Sequence, residues 1–328
     1  MSPLEERYRG LLAWLPEPAR SRWADEMTET YLEATTADDP EYAEFGSPSP
    51  ADRMDVARLA LRLHLGAPGS SVRAVATGRV VRLVAVAGTV ALASLALLGL
   101  ASTAWLHGRL PFVDAPEVGG PVLWGPREAV GTVVSLLTVV LAVCAVRGLA
   151  ATRPLAVVVL AGQLGTALVS AIRPLELLPQ LTFAVPLVAT ALMPAGAALR
   201  RPLWLVPIPL LASASGAALR PTPPPDWALG LFDPVVQWAL LTAVAGAGLL
   251  VRRGRTAGAA ELAVAVLAAA TLPALLSRWP YETVPGYSTV VLLATLTAGA
   301  TAIVTGAIGL RAVRALPTAT AATHPRAP

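Results

Sequence analysis

The sequence predicts an all-α, polytopic membrane protein. Eight transmembrane helices, read as four helical hairpins, follow a small N-terminal cytoplasmic domain of three helices. Three observations carry this reading. Of 328 residues, 55% are hydrophobic and only 14% charged, against about 25% charged in a soluble globular protein. Eight apolar segments approach the ~20 helical residues that a ~30 Å hydrocarbon core demands, where only a helix or a closed barrel satisfies its own backbone. Arginines crowd every second boundary between those segments.

The charge is split along the chain. Residues 1–78 hold eight Arg against thirteen acids, net −5, and residues 79–328 hold seventeen Arg against eight acids, net +9. Two regions in different solvents explain this better than one blended domain. All 25 basic residues are Arg, and Lys and Asn are absent. With the Ala, Leu, Val and Pro load, this points to a GC-rich bacterial genome of actinobacterial type, and it excludes N-linked glycosylation. The single cysteine, Cys144, lies in an apolar segment and is read as a small packing residue. No secretory signal is expected, because the first apolar run of membrane length begins near Leu83.

Residues 1–66 read as three helices. The first, about 3–15, buries Leu4, Tyr8, Leu11, Leu12 and Leu15. Pro16 and Pro18 break the chain, and a second helix runs to about Thr35 with Trp23, Met27 and Tyr31 at i, i+4 and i+8. An acidic loop with Asp38, Asp39, Glu41 and Glu44 follows. Ser49 is a helix N-cap, with Pro50 at the first helical position and Asp52 three residues on. The third helix is expected to carry Met54, Ala57, Leu61 and Leu65 on one side and Arg58 and Arg62 on another.

The run Tyr8-Arg9-x-Leu11-Leu12-x-x-Leu15-Pro16, then Arg22-x-x-x-Asp25-Glu26-Met27 and Tyr31-Leu32-Glu33-Ala34, resembles the short helical module that precedes the spans of many actinobacterial membrane proteins. It is similar to the permease-prefix and HAAS-type signalling domains. The resemblance covers about 65 of 328 residues and implies regulation or membrane-complex assembly, often alongside PadR-type regulators. It names no activity. A net charge of −5 beside an anionic inner leaflet repels the domain from lipid, leaving it free to meet a cytoplasmic or membrane protein. The plainer alternative is a bundle that merely caps the inner face.

Residues 67–82 form a basic juxtamembrane linker with Arg73, Arg79 and Arg82. The spans follow at about 83–105, 129–146, 154–172, 179–199, 202–219, 231–251, 257–276 and 288–310. The fifth, with Pro202, Pro207 and Pro209, is the one whose crossing the sequence leaves open. With the N-terminus inside, the inner boundaries carry Arg147, Arg153, Arg200, Arg201, Arg252, Arg253, Arg255, Arg311 and Arg314, with one nearby acid, Glu261. The outer boundaries carry five Arg (Arg109, Arg127, Arg173, Arg220, Arg278) among seven acids. By the positive-inside rule both termini are cytoplasmic and the protein resides in the cell membrane. The tail 311–328, rich in Ala, Thr and Pro, reads as disordered.

Outward spans share an ending: Arg109-x-Pro111 then Asp114, Arg173-Pro174 then Glu176, Arg220-Pro221 then Asp226, and Arg278-x-Pro280 then Glu282. One account is local, with a cation on the helix dipole, a Pro stop and a neutralising acid. The other is a converging outer ion-pair ring that gates a cavity or holds a charged ligand. Gln163 and Gln237 sit at membrane depth, as interhelical hydrogen-bond partners or as part of a substrate path. Asp233 and Glu261 read as boundary charges. The last span lines up Ala294, Ala298, Ala302 and Gly306, a small-residue face suited to close packing or self-association.

The chain carries no HExxH, GxSxG or Walker loop, and His64, His107 and His324 have no partner at metal-ligand spacing. No catalytic, cofactor or metal residues are assigned, no nucleic-acid partner is expected, and no enzyme is implied. Two functions remain: a regulatory or accessory membrane protein that docks a partner through residues 1–66, or a permease or exporter component for a small or amphipathic substrate.

Overall fold

A computed structural model describes residues 1–37, 39, 41–109, 125–170, 178–193, 205, 208, 233–251, 258–278 and 285–317. Every extended element among them is a helix, and none is a strand. In chain order the helices are α1 (Pro3–Leu12), α2 (Glu17–Thr36), α3 (Tyr42–Phe45), α4 (Pro50–His64), α5 (Val72–Leu106), α6 (Pro126–Arg147), α7 (Thr152–Ser170), α8 (Leu178–Leu192), α9 (Pro234–Val251), α10 (Ala259–Arg278) and α11 (Pro285–Arg314). The chain divides into two compact units, Met1–Arg79 with Arg311–Pro328, and Val80–Leu310.

In the first unit, local chemistry sets the helix starts. The Ser2 hydroxyl accepts from the Glu5 amide at 3.2 Å and Pro3 opens α1. Ser49 caps α4 through a reciprocal box: Asp52 N donates to Ser49 Oγ at 3.1 Å, and Ser49 N donates to Asp52 Oδ2 at 2.8 Å. Tyr8, Leu12, Leu15, Ala19, Val56, Ala60 and Leu63 form the core, with Trp23, Met27 and Tyr31 of α2 packed on it. The short α3 occupies what the sequence suggested was an irregular acidic loop; Asp38 lies outside the described residues.

The face of α4 needs correcting. Val56, Ala60 and Leu63 are buried, whereas Met54 is 54% and Leu61 43% exposed. Both stripes have helical spacing, but Arg58 and Arg62 stand four and eight residues after Met54, on the same side. Burying that stripe would strand two arginines, so the stripe of Val56, Ala60 and Leu63 turns inward instead. The expected linker also changes, since residues 72–82 are helical and continuous with the first apolar segment. The Arg73 guanidinium donates from Nε to the Leu316 carbonyl and from Nη2 to that of Arg314, both at 2.6 Å. It thereby caps carbonyls at the end of α11 that have no partner within the helix.

Among the described residues, five helices are long and apolar enough to cross a membrane: α5, α6, α9, α10 and α11. The apolar stretches of α7 and α8 are shorter. The sequence-predicted fifth span falls outside the described residues except Leu205 and Ile208, both buried. α10 is well enclosed, burying Ala263, Leu267, Ala268, Ala270, Ala274 and Leu275 among others. Its alanines let α8 and α9 lie close against it. At the α6–α7 turn Gly148 takes φ +67°, a left-handed helix stop in which the Leu149 amide donates to the Cys144 carbonyl at 3.0 Å.

Packing does not follow the four hairpins alone. α7 packs on α8 as expected, but α6 packs on α7 and α9 on α10, pairs that the hairpin reading separates. The small face of the last span is likewise taken within the chain. Ala294 and Ala298 are buried in a core with Val236, Ala239 and Leu275, and Gly306 lies against Ala265. Ala294 and Ala298 thus pack against α9 and α10. Outward, α6 exposes Val130, Val133, Leu136, Val140 and Val143 in one stripe, and α11 exposes Leu293, Leu296 and Ile303. Such stripes fit a lipid solvent and are liabilities in water.

Candidate functional site

In the second unit, α5, α8, α9 and α10 line an apolar cleft. Its walls follow helical spacing: Gly88, Ala91 and Leu95 on α5, Pro234, Trp238 and Leu241 on α9. At its α5–α8 edge the two helices nearly touch, because a Cβ on Gly88 would stand 2.4 Å from Cβ of Pro186. The Thr190 hydroxyl donates to the Pro186 carbonyl at 2.7 Å, with the Ala85 carbonyl of α5 at 3.5 Å.

Two polar side chains belong to this wall. Gln237 is 8% exposed and lines the cleft. Thr182 also lines it, and its Oγ1 is buried without a hydrogen-bond partner among the described residues. Pro186, four residues on, has no amide hydrogen to give the Thr182 carbonyl, so this turn of α8 is short of donors. Gln163 lies on α7, which does not contribute to the lining of this cleft.

A polar cluster stands at the start of α9. Asp233 precedes Pro234 and its Oδ1 accepts from the Val235 amide at 2.8 Å, capping the helix. Its Oδ2 forms an ion pair with Arg278 of α10 and accepts from the Tyr287 hydroxyl of α11 at 2.5 Å. Arg278 Nη1 also donates to that hydroxyl at 3.2 Å. Three helices are thus tied through one carboxylate whose side chain is 7% exposed.

Of the expected outer ring, Arg109 and Arg278 lie among the described residues. Arg109 is exposed just after α5. The partner of Arg278 is Asp233, which the sequence suggested was a boundary charge. Asp114, Arg173, Glu176, Arg220, Asp226 and Glu282 lie outside the described residues. Glu261 is 6% exposed in the first turn of α10, where the helix dipole favours an acid. Among the described residues no group of three His, Cys, Asp or Glu side chains could hold a metal ion.

The first unit holds a second candidate that sequence reasoning missed. The Tyr8 and Tyr31 rings stack in parallel, with centroids 3.9 Å apart and planes within 3°. They border a groove with Met27, Val56 and Leu59, rimmed by Asp52 and Asp55. Burial pushes the Tyr31 phenol up to about 12, aided by the Asp52 carboxylate, and the Tyr8 phenol shifts upward for the same two reasons. The signal available was that both tyrosines sat on predicted apolar stripes; what was missing was the register that brings the stripes together. Arg9 and Asp25, both in the resemblance motif, pair at 3.0 Å on the surface. Several residues of that motif are therefore contacts between α1 and α2.

Comparison with protein-family models, curated proteins and solved structures finds no match.

Proposed function

We propose that this is a regulatory or accessory protein of the cell membrane, with eight spans in four consecutive pairs and both termini cytoplasmic, whose domain 1–66 docks a protein partner. The carrying observation is that the N-terminal helices, within a region 1–78 of net charge −5, have a core of their own and still expose Trp14, Phe45, Met54 and Leu61. Apolar side chains left on a charged surface suit a protein interface. The arginine asymmetry supports the orientation, and the outward apolar stripes support the membrane setting. Binding, rather than catalysis, is the activity assigned.

The test is affinity purification of the full chain in mild detergent beside a form lacking residues 1–66. A specific protein that co-purifies with the first and not the second is the expected result. Identical recovery from both would end the docking reading.

A second reading, a permease or exporter component for an amphipathic substrate, is favoured by one observation. The cleft at Gln237 adjoins another apolar cleft between α5, α9 and α10, and Leu267 lines both. Leu267→Trp should then abolish flux of such a substrate in vesicles while the protein remains folded and abundant.

A further inference from the structure

We infer that the groove between α1, α2 and α4 is the docking pocket for an arginine side chain carried on an apolar stretch of the partner protein. The inference rests on the docking reading above and gives it an address. The floor is apolar, made by Met27, Val56 and Leu59, and suits the aliphatic stem of a long cationic side chain. The rim carries two carboxylates one helical turn apart on α4.

Both carboxylates keep an oxygen for a ligand. Asp52 Oδ2 is engaged by the Ser49 amide at 2.8 Å and lies 3.5 Å from the Tyr31 hydroxyl, leaving Oδ1 without a donor among the described residues. Asp55 uses Oδ1 in an exposed pair with Arg58 at 3.5 Å, which leaves Oδ2 open in the same sense. Arg58 is 71% and Asp55 76% exposed, so that pair is weak and readily exchanged.

A planar guanidinium offers five donors in a fixed fork and stays charged at any physiological pH, so it matches this acceptor set better than an ammonium. Charge complementarity selects the sign: the region 1–78 carries net −5. An anionic or neutral peptide would have to leave those carboxylates desolvated and unpaired.

The experiment uses the full chain in lipid nanodiscs. The probe is a fluorescent, acetylated and amidated Ala-Leu-Arg-Leu-Ala peptide, compared with the same peptide carrying citrulline, which keeps the shape and loses the charge. Saturable binding of the arginine peptide is expected, about tenfold tighter than the citrulline peptide. Asp55→Asn should weaken it about fivefold to tenfold at unchanged melting temperature, and Glu33→Gln, outside the groove, should not. Equal binding of both peptides, or full binding to Asp55→Asn, overturns the assignment.

Removing residues 318–328, which include Arg326, should leave affinity unchanged. A severalfold rise would make the chain's own tail the occupant and overturn the assignment to a partner. The two levels of failure separate in the affinity purification. A partner lost without residues 1–66 but retained by Asp55→Asn leaves docking standing and removes the groove, whereas a partner retained by both removes docking itself.

Discussion

Asp233 shows how a single side chain can serve three helices at once. Its carboxylate caps α9, pairs with Arg278 and accepts from Tyr287. Asp233→Asn should cost about 1–3 kcal/mol, read as a lower melting temperature in detergent, because it leaves a partly buried guanidinium short of its counter-charge. Arg278 is 33% exposed, which keeps the loss below that of a fully buried pair. Tyr287→Phe should cost less, and the double variant should fall short of the sum because both act on one carboxylate. The sequence offered Arg278 as half of a local pair and Asp233 as a boundary charge. A contact spanning 54 residues has no local signature, so spacing could not reveal it. Tyr31 makes a second residue-scale test. Its phenol rises from 10.0 to about 12, so its contribution to stability is intact below pH ~10 and is lost as pH climbs through ~12. Absorbance titration of the tyrosines should show a late-ionising fraction that Tyr31→Phe diminishes.

Among the elements, helix starts were the most legible features because their chemistry is local. The Ser49–Asp52 box stands where the sequence put it, and Ser49→Ala should lower the stability of the first unit by about 0.5–2 kcal/mol in denaturant unfolding. The buried face of α4 was not legible, since two stripes of equal periodicity compete and only the trailing Arg58 and Arg62 distinguish them. Close approach between helices was equally hidden. Gly88 looks like any small residue of an apolar span, yet its missing side chain is what admits Pro186. Gly88→Val should force α5 away from α8 and destabilise the second unit by about 1–3 kcal/mol. The proline responsible also thins the donors near Thr182, so one residue shapes both the contact and the cleft wall.

At the scale of the molecule, composition and arginine placement made the class readable, because burial in lipid constrains every residue of a span and a bias summed over many positions survives local noise. The cores respect the division into two units. Among the described residues, the core of Tyr8, Leu12 and Leu63 has no member from Val80–Leu310, and those of the apolar helices have none from residues 1–66. Leu12→Ala should accordingly remove about 2–5 kcal/mol from the first unit, with hydrogen exchange quickening across 3–64 and unchanged across α7. The bond from Arg73 to the carbonyls of Arg314 and Leu316 has a topological consequence. Two points joined by a hydrogen bond lie on the same side of a bilayer, so the chain between them must cross an even number of times. The apolar helices α5 to α11 make seven among the described residues. The sequence expects a further span at about 202–219, which lies outside the described residues except Leu205 and Ile208. A maleimide that cannot cross membranes should then label cysteines placed at Ser71 and Pro317 from one and the same side.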